Sequence, residues 1–237
     1  MESPPASVFE ISSFWEGSPL PPSDRIKIWI WSTPNSPSPL LHIKVHAPFF
    51  DNPPPASSKE GITCNCLWEF EIVQVFIKGR MDKYIEIEMS PHDEYLVLAM
   101  DGHRQCFHES LTPDFYRSEI DRENRKWRAE ISIPFSFLPP PFVCTNCSLF
   151  TFNAFASHWV EKNRRECAAL FPAFADTFQY SEPDFHRLHL FEPLPAEITR
   201  NFFHDVPDEF AAKSPIWKSR LGSEIKRSSS FVPINWD

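Results

Sequence analysis

The chain has 237 residues, carries a formal net charge of −9, and contains 25 prolines but only 5 glycines. The acidic balance argues against a nucleic-acid partner, and the many prolines argue against long helices. The N-terminal segment lacks the basic and apolar regions of a signal peptide, and no window is apolar enough to cross a membrane. We therefore expect a cytoplasmic protein with no membrane partner and with mostly reduced thiols.

Alternation of apolar and polar residues predicts strands along most of the chain. A short apolar element at 8–15 comes first, a further short strand is expected near 104–110, and a loop or short helix is expected at 166–174. The main predicted strands cover residues 25–31, 40–50, 66–77, 83–90, 94–100, 126–138, 148–159 and 184–193.

This series of short strands and turns favours a single all-β domain over residues 8–195, an antiparallel β-sandwich rather than a helical fold. Residues 196–237 are predicted to form a C-terminal extension that is partly helical or disordered. A C-terminal helix docked on the sandwich is the alternative for this segment.

Two acidic residues, Glu69 and Glu71, interrupt the apolar stretch CLWEFEIVQVFI at 66–77. Because residues two apart on a strand share a face, these carboxylates would point away from the side that carries Trp68. A tryptophan on a strand that faces other apolar strands is usually buried, so we expect the Trp68 side to be core.

The following stretch, KYIEIEM, alternates in the same way and places Tyr84, Glu86 and Glu88 on one side. A hairpin between the two stretches is predicted to pair Val75 with Glu86 and Val73 with Glu88. All the glutamates of the hairpin would then lie on one polar sheet face.

This polar face has two interpretations. It is either a solvated surface with exposed salt bridges to Arg25, Lys27 and Lys44, or a sugar-binding surface. Aromatic rings stack on the C–H faces of sugars, while charged groups form hydrogen bonds with the hydroxyls. The candidate ligand-binding residues are Trp29, Trp31, Lys44, Glu69, Glu71, Tyr84, Glu86 and Glu88.

Other chemistry uses the same types of residue. A carboxylate cluster can hold Ca²⁺, and two carboxyl groups in a cleft can hydrolyse a glycosidic bond. Haem would need axial ligands, for which Met89, Met100 and His92 are available without any motif that pairs them. We predict no catalytic residue, no metal site and no cofactor.

Six cysteines include two close pairs, Cys64 with Cys66 and Cys144 with Cys147. The two pairs could form a tetrahedral zinc site if their loops met. Neither loop carries the turn glycines or flanking ligands typical of zinc knuckles, so unlinked reduced thiols are the expected state.

Several stretches, in this order and spacing, resemble an uncharacterised family of cytosolic proteins with a domain like the family 9 carbohydrate-binding module. That module is similar in turn to DOMON-type domains, some of which bind sugar and some haem. The resemblance implies a β-sandwich and covers most of residues 9–194. The stretches are LWEFEIVQVFI at 67–77, YIEIEMSPHDEYLVL at 84–98, KWRAEISIPFSFLPP at 126–140, FTFNAFASHW at 150–159 and PDFHRLHLFEPL at 183–194.

The chain departs from the module's pattern at two polar positions. Gln74 stands where the module usually has glutamate, and Ala156 stands where an arginine completes its N-x-x-R pattern. If Gln74 is buried it needs a hydrogen-bond partner, for which His158 or Asn153 is predicted.

The late PDFH motif also has two interpretations. Asp184 and His186 are either a turn cap and a hydrogen-bonded histidine, or a contact at the rim of a ligand or metal site.

The function expected from the sequence is non-catalytic ligand binding, with a carbohydrate or glycoconjugate as the ligand. A protein-interaction or scaffold domain is the alternative, followed by a sugar-acting hydrolase and a metal- or haem-binding domain.

Overall fold

A computed structural model describes residues 6–33, 37–51, 62–63, 66–142, 148–161, 164–174, 183–199 and 214–220. These residues form two packed β-sheets, which confirms the predicted antiparallel sandwich. In the described part of the chain, no helix combines the length and the apolar character needed to cross a bilayer.

Sheet A contains five antiparallel strands. Their spatial order is β1 (Ser7–Ile11), β3 (Ile26–Thr33), β4 (Leu40–Pro48), β11 (Lys126–Pro134) and β10 (Phe115–Asp121).

Sheet B contains nine described strands, all antiparallel except for the β5–β8 pair. Its main order is β2 (Ser13–Phe14), β13 (Arg164–Ala169), β12 (Thr151–Glu161), β6 (Ile72–Lys78), β7 (Lys83–Met89), β8 (Glu94–Asp101) and β5 (Ile62–Thr63). Two short strands lie off this path: β14 (Glu192–Pro193) pairs with β12, and β9 (Cys106–His108) pairs with β8.

The main core lies between the two sheets. Ile28 and Ile43 of sheet A and Val75 and Ile87 of sheet B are all fully buried in it. Each comes from a strand in which every second residue points inward, so period-two alternation positions the core. Burial of one such aliphatic side chain contributes roughly 1.5–3 kcal/mol.

Sheet B is buried on its outer face as well. Phe76, Tyr84 and Phe155 belong to a second apolar cluster there, and none of them is more than 1% exposed. The cover consists of Trp15, the 3₁₀ turn Leu67–Glu69, and residues 183–191, which include the 3₁₀ turn Leu188–Leu190. We call this covered surface the sheet B face.

The observed register of the β6–β7 hairpin differs from the predicted register by one residue. Val75 pairs with Ile87 rather than with Glu86, and Gln74 pairs with Glu88. A one-residue shift moves every side chain of a strand to the opposite face. The observed register matches apolar with apolar residues in the core and places both glutamates on the sheet B face.

Three other local predictions are wrong. Residues 66–71 are not a strand, because Leu67–Glu69 is a 3₁₀ turn that follows Cys66 at φ 66°. The expected loop or helix at 166–174 begins as strand, since β13 continues to Ala169, and the predicted strand at 184–193 is reduced to the two residues of β14. Strand β10 was not anticipated.

The described parts of the C-terminal extension pack on the sandwich. The helix α1 (Ala196–Thr199) contributes Ile198 to the main core, and the 214–220 segment contributes Trp217, which is fully buried. The Trp217 indole donates a 3.0 Å hydrogen bond to the Phe137 carbonyl and packs against Phe107. The domain boundary at residue 195 stays a prediction.

Candidate functional site

The structure divides the eight candidate residues between the two sides of the sandwich. Trp29, Trp31 and Lys44 lie on the outer surface of sheet A, because they alternate with the inward-facing residues of β3 and β4. Tyr84, Glu86 and Glu88 lie on the sheet B face, and Glu69 and Glu71 lie just before β6. The prediction that all of them share one face is therefore wrong.

The outer surface of sheet A, which we call the Trp29 face, is an open sheet surface of polar and aromatic side chains. They form three rows across the strands: Glu10, Lys27, His46, Arg128 and Glu119; Val8, Trp29, Lys44, Glu130 and Arg117; and Trp31, His42, Ser132 and Phe115.

Histidines on β4 position both indoles of the Trp29 face. The Trp31 ring stacks on the His42 ring, with centroids 5.1 Å apart and planes 12° apart. His42 is fixed in turn by hydrogen bonds with Thr33 (3.1 Å) and Ser132 (2.9 Å). Trp29 meets His46 edge-on at 4.8 Å. Both tryptophans are half-buried, so each presents part of an oriented ring to solvent.

Positive charge is concentrated around His46. Partial burial lowers the pKa of His46, and the neighbouring cations Lys44, Arg128 and Lys27 lower it further. Arg128 is neutralised by Glu119 at 2.6 Å, but no carboxylate among the described residues lies within ion-pair distance of Lys27 or Lys44. Both ammonium groups are therefore available to a ligand.

An open groove of about 940 Å³ crosses one end of the Trp29 face. Arg25, Lys27, His46 and Arg128 line it, together with residues 119–123 at the end of β10. Arg25 forms a 3.5 Å ion pair with Glu10 at its side. The groove is large enough for a small sugar and borders the row that contains Trp29.

The sheet B face has the opposite character, because its polar groups are enclosed. The Gln74 amide donates to Glu86 at 3.1 Å and to Glu88 at 2.7 Å, so the predicted partners His158 and Asn153 are wrong. Asn153 instead bonds the backbone of Phe171. The Glu86 and Glu88 side chains are at most 1% exposed.

Burial changes the protonation of this glutamate pair. It raises the pKa of Glu86 well above its ordinary value, and the neighbouring Glu88 raises it further. Burial also raises the pKa of Glu88 to about 7, although its hydrogen bonds with Glu86 and Gln74 lower this pKa. The two carboxyl groups therefore hold protons at a pH where exposed glutamates are ionised.

The PDFH motif ties the cover to the sheet B face. The Asp184 carboxylate accepts the His186 amide at 3.1 Å, which agrees with the turn-cap interpretation, and it also accepts from Arg104 at 3.2 Å. His186 is hydrogen-bonded to the Tyr84 hydroxyl at 2.7 Å. Burial, followed by the charge of Arg104, lowers the pKa of His186 to about 3.

The other two candidate glutamates lie just before the start of β6, a central strand of sheet B. Both carboxylate oxygens of Glu71 accept from the Phe50 amide at 3.1 Å, so this buried side chain anchors the end of the β4 segment. Glu69 is exposed, and its carbonyl accepts from the Trp159 indole at 2.7 Å. Trp68 is half-buried against the sheet B face.

The metal and haem hypotheses gain no site from the structure. Cys64, Cys144 and Cys147 lie outside the described residues, and within those residues no three His, Cys, Asp or Glu side chains converge as metal ligands. Met89 is buried in the main core, whereas Met100 is buried on the sheet B face. The prediction that the protein has no cofactor remains untested.

Known proteins are similar to this chain in sequence and in fold. No family model matches it. The human UPF0462 protein C4orf33 is 31% identical over 186 residues, covering 78% of this chain and 85% of the human protein. The chain belongs to the UPF0462 family. The mouse UPF0462 homologue is 34% identical over 156 residues, covering 65% of this chain and 76% of the mouse protein.

Two solved structures are similar in fold to this chain. A crystal structure of a Bacteroides uniformis protein, provisionally described as carbohydrate-binding, has a TM-score of 0.52 and 14% identity over 78% of this chain and 84% of its own. A family 9 module from Caldicellulosiruptor kristjanssonii, in complex with glucose, has a TM-score of 0.44 and 12% identity over 78% and 81%. The first likeness shows the fold and confirms the sandwich that the sequence resemblance implied.

Proposed function

We propose that this protein binds a carbohydrate without transforming it, and that the sugar lies on the Trp29 face. One observation carries the proposal: Trp29 and Trp31, two residues apart on β3, present ring surface on an open sheet. Sugar rings stack their C–H faces on such platforms. Lys44 and Glu130, in the same row as Trp29, provide a donor and an acceptor for hydroxyl groups.

The two histidines prepare this surface for binding. Stacking on His42 holds the Trp31 ring, and edge contact with His46 holds the Trp29 ring. A ligand then meets side chains that lose little conformational freedom on binding, which favours affinity. The fold shared with a protein provisionally described as carbohydrate-binding supports the same ligand class.

The environment of the glutamates supports binding rather than hydrolysis. Glycoside hydrolysis needs two carboxyl groups on either side of a sugar bond, with access for water. Glu86 and Glu88 are both bonded to Gln74 and enclosed by the cover of the sheet B face. On the Trp29 face, Glu10 and Glu119 are held by Arg25 and Arg128.

The proposed site keeps three of the sequence candidates, Trp29, Trp31 and Lys44. It adds Lys27 and Glu130, which the strand register places beside them. Tyr84, Glu86 and Glu88 have structural roles in this proposal, as do Glu69 and Glu71.

The proposal is tested by thermal unfolding of the protein against a panel of monosaccharides and oligosaccharides. A ligand that binds only the folded state stabilises it, by about 2.7 kcal/mol at a hundredfold excess over Kd. We expect a dose-dependent rise in Tm with at least one sugar, lost in Trp31→Ala. The exposed Phe174, which is not part of the Trp29 face, provides the matched control Phe174→Ala, which should keep the shift.

A protein partner is the second candidate for the same face. Val8 is 57% exposed and Phe115 is 45% exposed, and both lie on the Trp29 face. A protein partner that covered the face would bury both of these exposed apolar side chains. Absence of any Tm shift at millimolar sugar would contradict carbohydrate binding and favour this second function.

A further inference from the structure

Four side chains on β3 and β4 form a compact square at the centre of the Trp29 face. The register pairs Lys27 with His46 and Trp29 with Lys44, and the two pairs are adjacent along the strands. The two lysines therefore occupy opposite corners, and the two aromatic rings, in contact at 4.8 Å, occupy the others. Directly paired side chains on such strands have Cβ atoms about 5 Å apart, so one small ligand can reach all four corners.

The square is electropositive although the whole chain carries a net charge of −9. Every charged neighbour that shifts the pKa of His46 is a cation, and all of these cations lower it. Three acids flank the square in the neighbouring strands. Glu10 lies opposite Lys27 and pairs with Arg25, Glu119 pairs with Arg128, and Glu130 lies opposite Lys44 on the side away from Trp29. A local positive centre of this kind attracts an anion.

We propose that the ligand of the Trp29 face is an acidic sugar, whose anionic substituent lies between Lys27 and Lys44 while its ring stacks on Trp29. This inference rests on the proposed function and names the substrate class. The substituent can be a carboxylate or a phosphate ester, because an ammonium group binds either one as a point charge.

The test is a titration calorimetry series with three ligands that share one ring: glucose, glucuronate and glucose 6-phosphate. At low ionic strength we expect each acidic ligand to bind about fivefold more tightly than glucose, which is the upper limit for one exposed ion pair. The difference should narrow in about 0.5 M salt, where charges more than a few ångströms apart are screened.

Variants identify the groups responsible. Lys27→Gln and Lys44→Gln should each lower the affinity for the acidic ligands more than the affinity for glucose, and so remove most of the preference for the acidic ligands. Lys218→Gln removes the same charge from an exposed turn outside the Trp29 face, and it should leave the preference intact. Trp29→Ala should weaken the binding of all three ligands.

The outcomes distinguish this inference from the proposed function. If glucose or another neutral sugar binds at least as tightly as its acidic counterparts, the acidic-sugar inference is wrong and carbohydrate binding stands. If none of the three ligands binds, the acidic-sugar inference is wrong, and carbohydrate binding is decided by the Tm measurements with the sugar panel. If inorganic phosphate alone, or a short oligonucleotide, binds as tightly as glucose 6-phosphate, the positive centre does not recognise a sugar and the inference is overturned.

Discussion

The two outer faces of the sandwich have the same sequence pattern, but one is exposed to solvent and the other is covered. RIKIWIW in β3 and KYIEIEM in β7 both alternate isoleucine with charged and aromatic residues. The charged side of β3 is open to solvent, whereas that of β7 is covered by distant segments at 15, 67–69 and 183–191. Alternation within a strand therefore identifies the side that faces the core, but remote parts of the chain determine whether the other side is free to bind.

The largest loss of stability should come from truncating a buried side chain on the sheet B face. Phe76 is fully buried and contacts Phe155, His186 and Phe191. We expect Phe76→Ala to lower the free energy of unfolding by about 3–5 kcal/mol, as for other large-to-small core changes. Urea denaturation measures this loss. A loss below about 1 kcal/mol would mean that the sheet B face is open, and the contrast between the two faces would fail.

The buried glutamates should give the sheet B face its own pH dependence. The folded pKa of Glu86 and Glu88 is raised, so the unfolded chain loses these protons near pH 4.5 while the folded chain keeps them. The stabilising contribution of Glu88 is complete below that pH and is lost as the pH rises through about 7, and the raised pKa of Glu86 gives its contribution the same sign.

Glu88→Gln should therefore flatten the dependence of unfolding free energy on pH between 5 and 8. It should stabilise the protein at pH 8 by on the order of 1–3 kcal/mol relative to the parent chain. His186 contributes in the opposite direction, because its lowered pKa removes stability as the pH falls. The effect of Glu88 is therefore measured as the difference between the pH dependence of the unfolding free energy in the variant and in the parent chain. Glu119→Gln, at an exposed site, is the control and should not change the slope in this range.

Loss of the Asp184 carboxylate, which holds the cover of the sheet B face, should reduce stability less than Phe76→Ala does. Asp184→Asn keeps the size of the side chain but weakens its contacts with His103 and Arg104. We expect a loss of about 1–2 kcal/mol, and faster hydrogen exchange at 183–191. Asp51→Asn disrupts the exposed ion pair with Arg122 and should change stability by less than about 0.5 kcal/mol. Equal effects of the two variants would mean that Asp184 does not hold the cover.

A substitution on the open Trp29 face should have a small effect on stability. Trp31 is half-buried and stacks on His42, so Trp31→Ala should reduce the unfolding free energy by only about 1 kcal/mol. The same variant should abolish sugar binding. A loss as large as that of Phe76→Ala would mean that Trp31 is a structural residue rather than a binding platform.

The strands that alternate strongly could be predicted from the sequence, and the elements with weaker patterns could not. Strands β3, β4, β7 and β8 lie close to their predicted bounds because each has one side with at least three successive apolar residues. Strand β13 has the sequence RRECAA, rich in helix-forming residues, and becomes a strand by pairing with β12. Strand β10 lies at a sheet edge and is only partly buried, so its alternation is weak.

The sequence predicts which types of residue form the candidate site, but it does not predict on which face of the sandwich each residue lies. Trp29, Trp31 and Lys44 lie close together because a single hairpin joins their strands. The one-residue difference in the β6–β7 register, and the cover at 183–191, decide where Glu86 and Glu88 point. The register follows from matching the apolar residues of the two strands. The cover, in contrast, depends on contacts between residues far apart in the chain.

The most direct test of the account follows the indole N–H signals of the tryptophans by NMR, with each signal assigned by a Trp→Phe variant. The protein is titrated with the sugar that raises its Tm most. The account predicts that the signals of Trp29 and Trp31 shift, while those of Trp15, Trp68 and Trp159 around sheet B stay in place. Shifts of Trp15, Trp68 or Trp159 without shifts of Trp29 and Trp31 would contradict it and place the ligand on the covered side.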